Sequence, residues 1–139
     1  MKVYFDTNVV LDVLMAQEEY LADSAACLRL CGTRITGCLA VSQATDIFYI
    51  LHKRGATRQT AKDALQNLSK SLRIEDINAT DMKLALQSDM QDFEDALLAF
   101  CAKRHRANYI ITRNVKDFAT APIPAVTPHD FLKRINQEV

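Results

Sequence analysis

Carboxylates at four places in this chain could serve a chemical purpose: Asp6 in "YFDTNVVLD", Asp46 in "AVSQATDIFYIL", the pair Asp92 and Asp95 in "DFEDALLAF", and Asp117 in "TRNVKDF". Each also has an ordinary explanation. Asp6 follows an apolar run and precedes a helix, where a negative charge gains up to about 1 kcal/mol from the helix dipole, so a turn residue and a chemical one fit it equally. Asp46 lies opposite the main apolar stripe of its helix, near Ser42, Tyr49 and Lys53, and periodicity alone favours a solvated face. Asp92 and Asp95 share one face at a helix start, where acids are common. That face continues into Ala96, Ala99 and Ala102, small side chains that let a helix approach a sheet closely and would carry Asp95 inward. Asp117 precedes Phe118 in a loop, where an exposed acid is the default.

Convergence of such acids is costly without a cation. Two carboxylates about 4 Å apart repel by roughly 4 kcal/mol at an effective dielectric of about 20, so three or four in one pocket call for protonation or a divalent metal. All-oxygen ligands of this kind suit Mg2+ or Mn2+. His52, His105 and His129 accompany no Ser or Cys motif, which leaves acyl transfer by a nucleophilic triad without a candidate.

The frame for these side chains is legible in the hydrophobic pattern. Val3 to Phe5 is a β-prone run, and Thr7 or Asn8 can cap a helix over residues 9 to about 16. A second helix over about 20–31 ends at Gly32, a short strand over 34–36 is closed by Gly37, and a helix over 41–53 stops at Gly55. Thr57 caps a helix reaching about 71, a strand candidate covers 72–77, and helices over 81–88 and 93–103 flank "SDMQD". Residues 109–112 form a buried-strand pattern, and a last short strand near 125–126 precedes a helix from Pro128 to about 136. Short apolar strands alternating with helices predict a parallel sheet covered on both faces, with ligands outside the carboxyl ends of the strands. Asp6 and the Thr112-Arg113-Asn114 turn both fall at that end.

The chain has 139 residues, 49% hydrophobic and 24% charged, with three Gly and three Pro, the size of one folded domain and too short for two cores. Seventeen basic residues balance seventeen acidic ones, so any affinity for nucleic acid must come from local patches. Such patches are "HKRG" at 52–55, "KRHR" at 103–106, Arg113 and Lys116; the first two also read as solvated helix ends, whereas Arg113 and Lys116 flank the expected pocket. Few aromatics and no Trp argue against a long stacking groove for single strands. Cys27, Cys31, Cys38 and Cys101 show neither CxxC nor zinc spacing, which favours buried thiols in a reducing compartment. Without a signal-peptide pattern or an 18-residue apolar run, the expectation is a cytoplasmic protein with no membrane span.

Four ordered blocks, "YFDTNVVLD", "AVSQATDIFYIL", "DFEDALLAFCAKRHRANYIITRNVKDF" and "VTPHDFL", make the chain resemble a PIN domain, in particular the stand-alone bacterial type that includes VapC-type toxin ribonucleases. The resemblance implies a single domain over residues 1–139 with a three-layer α/β/α Rossmann-like fold, and a central, mainly parallel sheet of four to five strands. It implies an acidic pocket that binds Mg2+ or Mn2+ and cleaves RNA, with Asp6, Asp46 and Asp95 as catalytic acids. Asn8, Ser42, Thr112, Arg113, Asn114 and Lys116 would shape the pocket or meet the substrate. Many relatives have Glu where this chain has Asp46, and Asp where it has Asn114. Asn keeps an oxygen but removes a charge, so Asp117, ahead of Asp92, would supply the fourth carboxylate. The resemblance further implies a homodimer and a small antitoxin partner. Competing readings are a weakened PIN-like module that binds RNA or protein, and a phosphatase of the haloacid-dehalogenase type, whose second Asp would stand where this chain has Asn8.

Overall fold

The computed structural model describes residues 1–137. Strand β1 (Lys2–Phe5) forms over the predicted apolar run and sends alternate side chains to opposite faces: Val3 and Phe5 enter one core, Tyr4 the other. With β2 (Thr36–Ala40), β3 (Arg73–Glu75), β4 (Tyr109–Ile111) and β5 (Ala125–Val126) it builds a five-stranded sheet of order β3-β2-β1-β4-β5, every pairing parallel. The chain lays β2 and β3 on one side of β1, then returns to place β4 and β5 on the other. A crevice therefore opens at the carboxyl ends of β1 and β4, the place where parallel sheets build sites.

Helices α1 (Thr7–Leu14), α2 (Glu18–Arg29), α3 (Val41–Lys53), α4 (Arg58–Ser71) and α7 (Pro128–Gln137) cover one face. Val9, Cys27, Ile47, Leu68 and Phe131 from these helices bury against Phe5, Leu39 and Ile111. On the other face α5 (Ala79–Gln87) and α6 (Phe93–Arg104) pack Ala85, Ala96, Ala99 and Ala102 against Tyr4, Cys38 and Ile110. The α6 alanines are 0% exposed, so small side chains do seat this helix on the sheet. The result is the expected three-layer α/β/α architecture, with five strands and no antiparallel pairing among the described residues.

Three local expectations change. The second strand is Thr36–Ala40, not residues 34–36, and Gly37 lies inside it: a Cβ there would collide with Cys31 Sγ and stand 2.8 Å from Leu72 Cδ2, so this glycine marks close packing, not a chain break. The first helix begins at Thr7 with Asp6 itself at the cap. The segment holding Asp117 is a 3-10 turn, Val115–Phe118, not a plain loop. All four cysteines are buried and free; burial pushes Cys27, Cys31 and Cys38 up to about 12 and Cys101 to about 11, which makes them inert packing residues. No described helix is long and apolar enough to cross a membrane.

Candidate active site

Asp6 leaves β1 with extended backbone, and its own N–H donates to Ile111 O at 2.9 Å, tying it to the end of β4. Its Oδ1 accepts from the Thr7 amide at 2.8 Å; its Oδ2 accepts from the Thr112 hydroxyl at 2.8 Å and the Asn8 amide group at 3.3 Å. Asp6 is thus both the helix cap and the acid at the switch point. Thr112 is completely buried, so its hydroxyl is an orienting donor and not a substrate contact.

Asp46 and Asp95 reach the same place from opposite faces of the sheet. A hollow of about 800 Å³ is lined by Asp6, Asn8, Ser42, Asp46, Glu94 and Asp95 on its polar side and by Leu11, Tyr49, Ile50, Phe93 and Leu97 on its apolar side. Periodicity favoured a solvated Asp46, yet the residue is half-buried. The α3 stripe of Gln43, Ile47 and Leu51 reports only what meets the sheet; Asp46, on the flank, faces α6 across the top of the crevice. Gln43, 5% exposed, secures this: its Oε1 accepts from the Ala40 amide and its Nε2 donates to Phe5 O, both at 2.8 Å. Asp95 sits in the first turn of α6, its amide donating to the capping Asp92 Oδ1 at 2.9 Å.

Asp117, Asp92 and Lys116 line an adjoining hollow of about 500 Å³ that shares Asp95 with the first. The acids therefore gather around Asp95 in two adjacent groups. Asn114 is exposed and lines neither of these hollows; its amide donates to Thr112 Oγ1 at 3.0 Å. Arg113 lines neither hollow. Its Nε donates to Asp12 Oδ2 at 2.9 Å and its guanidinium stacks on Tyr20, so a buried carboxylate draws it away from the acidic pocket. The two basic clusters are remote from the site, because α3 and α6 begin there and carry them at their far ends, and Arg104 is already paired with Asp81 at 2.9 Å and Asp76 at 3.3 Å.

Two residues of this region escaped sequence reasoning. Glu94 faces Asp46, whose charge is the main cause raising its pKa; adjacency to Asp95 was the available signal. Gln43 was hidden because a buried amide inside an apolar stripe looks like a break in the pattern.

Burial raises the Asp6 carboxyl, against the hydrogen bonds from Thr112 and Thr7, with Asp117 and Asp92 adding to the rise. Burial likewise lifts Asp95 to about 7, helped by the charges of Asp6, Asp92, Asp117 and Glu94. Among the described residues no group of three or more His, Cys, Asp or Glu side chains forms a ready-made metal cage. The donor set nonetheless fits a hydrated divalent ion: all-oxygen, mutually repelling, and suited to Mg2+, which keeps several waters and needs only one or two carboxylates directly.

A family model described as PIN domain matches residues 2–116. The chain belongs to the PIN-domain family. Solved structures share the PIN-domain frame: VapBC2 from Rickettsia felis, bound to a DNA fragment from their promoter, aligns with a TM-score of 0.73 and 17% identity over 91% of this chain and 98% of that one. A toxin-antitoxin complex from Klebsiella pneumoniae gives 0.68 and 23% over 91% and 97%. Mycobacterium tuberculosis VapC20, a sarcin-ricin loop cleaving toxin, gives 0.64 and 15% over 78% and 86%. At these identities the likeness is one of fold. No curated protein matches the chain in sequence.

Proposed function

We propose that this PIN domain is a metal-dependent endoribonuclease, the cytoplasmic toxin of a toxin-antitoxin pair, that hydrolyses RNA phosphodiester bonds. The observation that carries the reading is the gathering of acids at the β1/β4 crevice, with Asp95 lifted to about 7 by burial and by its acidic neighbours. Toxin-antitoxin structures with the same fold support an antitoxin partner, and a relative that cleaves the sarcin-ricin loop supports an RNA substrate. Family membership sets aside the phosphatase reading. The same proposal includes a homodimer, which light scattering on the purified chain would reveal.

In this reading Asp6, Asp46 and Asp95 would hold Mg2+ or Mn2+, with Asp117 adding charge in place of the Asp missing at Asn114. When bound, such an ion supplies an activated water and neutralises charge at the phosphoryl group. The protein's own part is positioning. Thr112 and the Thr7 amide fix the two Asp6 oxygens, Gln43 ties α3 to the end of β1 so that Asp46 faces α6, and Asp92 locks the first turn that carries Asp95. Because burial and its acidic neighbours lift Asp95 to about 7, a cation bound there would favour the carboxylate form and release protons.

The purified protein should cut RNA only with Mg2+ or Mn2+, and Asp6→Asn and Asp95→Asn should abolish cleavage with unchanged circular dichroism. Cleavage persisting in both variants, or none by the wild type on several structured RNAs with either metal, would refute the reading.

A further inference from the structure

Asp12 is an ionisable residue that the proposed reaction does not use, and it is 1% exposed on α1. Its Oδ2 accepts from Arg113 Nε at 2.9 Å and from Ser24 Oγ at 3.1 Å, while its Oδ1 is buried with no partner. Arg113 is held a second way, its guanidinium carbon 4.0 Å from the centre of the Tyr20 ring, a stacking that suits the planar fork. A buried ion pair adds little stability over well-packed apolar side chains of the same volume, but removing one partner strands a buried charge. What the directional pair adds is a fixed location for residue 113.

That location matters because of its neighbours. Thr112 donates to Asp6 Oδ2 at 2.8 Å, the Asn114 amide donates back to Thr112 Oγ1 at 3.0 Å, and the Asp117 amide donates to Asn114 O at 3.0 Å. The Arg113 amide makes a long 3.5 Å contact with Asn8 Oδ1. Asn8 and Asp12 are one turn apart on α1, so one side of this helix grips the segment at successive points.

We propose that Asp12 and Arg113 are positioning residues of the acidic site: their ion pair fixes residues 112–114 against α1, and so sets where Thr112 meets Asp6 and where Asp117 stands beside Asp95. The functional meaning rests on the ribonuclease reading above; the geometry does not. Arg113 Nε is committed to Asp12 rather than to the acidic pocket.

The test combines amide hydrogen exchange of the metal-free full-length chain with Mn2+ titration followed by electron paramagnetic resonance. It compares the wild type with Asp12→Asn and with Arg113→Lys, which keeps the charge but loses the Nε donor and the planar face and covers the case in which Asp12→Asn fails to fold. The amides of Asn114 and Asp117 should exchange roughly tenfold faster in either variant while Ala99 and Ala102 in α6 are unchanged, and Mn2+ affinity should fall about tenfold. Unchanged exchange at 114 and 117, equal acceleration of all amides, or local loosening with intact Mn2+ affinity would each overturn the proposal. Should the wild type bind no Mn2+, the metal reading of the site fails, and the positioning role is decided by exchange alone.

Discussion

Replacing Asp95 by Asn should stabilise the metal-free protein in a pH-dependent way. Burial and the charges of Asp6, Asp92, Asp117 and Glu94 lift this carboxyl from 3.8 to about 7. A group whose folded pKa exceeds its unfolded value binds its proton more tightly in the folded chain; its contribution is intact below about pH 4 and is lost as pH rises to about 7. At about 1.4 kcal/mol per unit the shift corresponds to roughly 4 kcal/mol, which solvent screening at a half-buried carboxyl reduces to about 1–2 kcal/mol. Asn carries no charge and escapes the penalty. In EDTA at about pH 8 the Asp95→Asn variant should therefore melt roughly 3–8 °C above the wild type, with the gap narrowing through pH 6 and closing near pH 4. Thermal melts by circular dichroism across this range provide the assay. Saturating Mn2+ at pH 8 should raise the wild-type Tm and leave the variant nearly unmoved. A gap independent of pH, or one that widens toward acid, would refute the electrostatic argument.

Asp46→Asn should lower the Glu94 pKa, because Asp46 is the main cause of its rise, as followed by carboxyl NMR, and should cost roughly 100-fold in RNA cleavage, equivalent to about 3 kcal/mol. Asp92→Ala removes the cap that receives the Asp95 amide and should cost about 1 kcal/mol in denaturant titration. Asp117→Ala, at an exposed position, should leave stability within about 0.5 kcal/mol yet weaken Mn2+ binding measured by calorimetry. Gly37→Ala should destabilise by about 2–3 kcal/mol, since the new methyl meets Cys31 Sγ and Leu72 Cδ2; a variant with wild-type Tm would mean that the β2 environment yields more easily than its packing indicates.

Local pattern carried most of the frame. Val3 to Phe5, the α3 stripe of Ile47 and Leu51, and the capping Thr57 announced their elements because period and cap chemistry are properties of neighbouring residues. Gly37 misled because a glycine that ends a strand and a glycine that admits a close neighbour look alike until the neighbour, Cys31, is in place. Asp46 misled in the opposite sense: helical periodicity distinguishes sheet-facing from other positions, and a site at the end of the sheet belongs to the others.

By itself the sequence determined the alternation of strands and helices, and with it a parallel sheet whose carboxyl ends would hold Asp6 and the Thr112-Arg113-Asn114 turn. It also set the expectation of metal chemistry, since acids without a nucleophile motif point to oxygen ligands for a hard cation. Only the tertiary structure decided which acids meet. Asp46 and Asp95 approach from opposite layers, Glu94 joins them, and Asp117 stands on the far side of Asp95. It also decided the fate of the cations: Arg113, adjacent in sequence to the pocket, is claimed by Asp12 from a different helix. Charge pairing depends on distance in space, and the strand order that returns β4 beside β1 creates those distances.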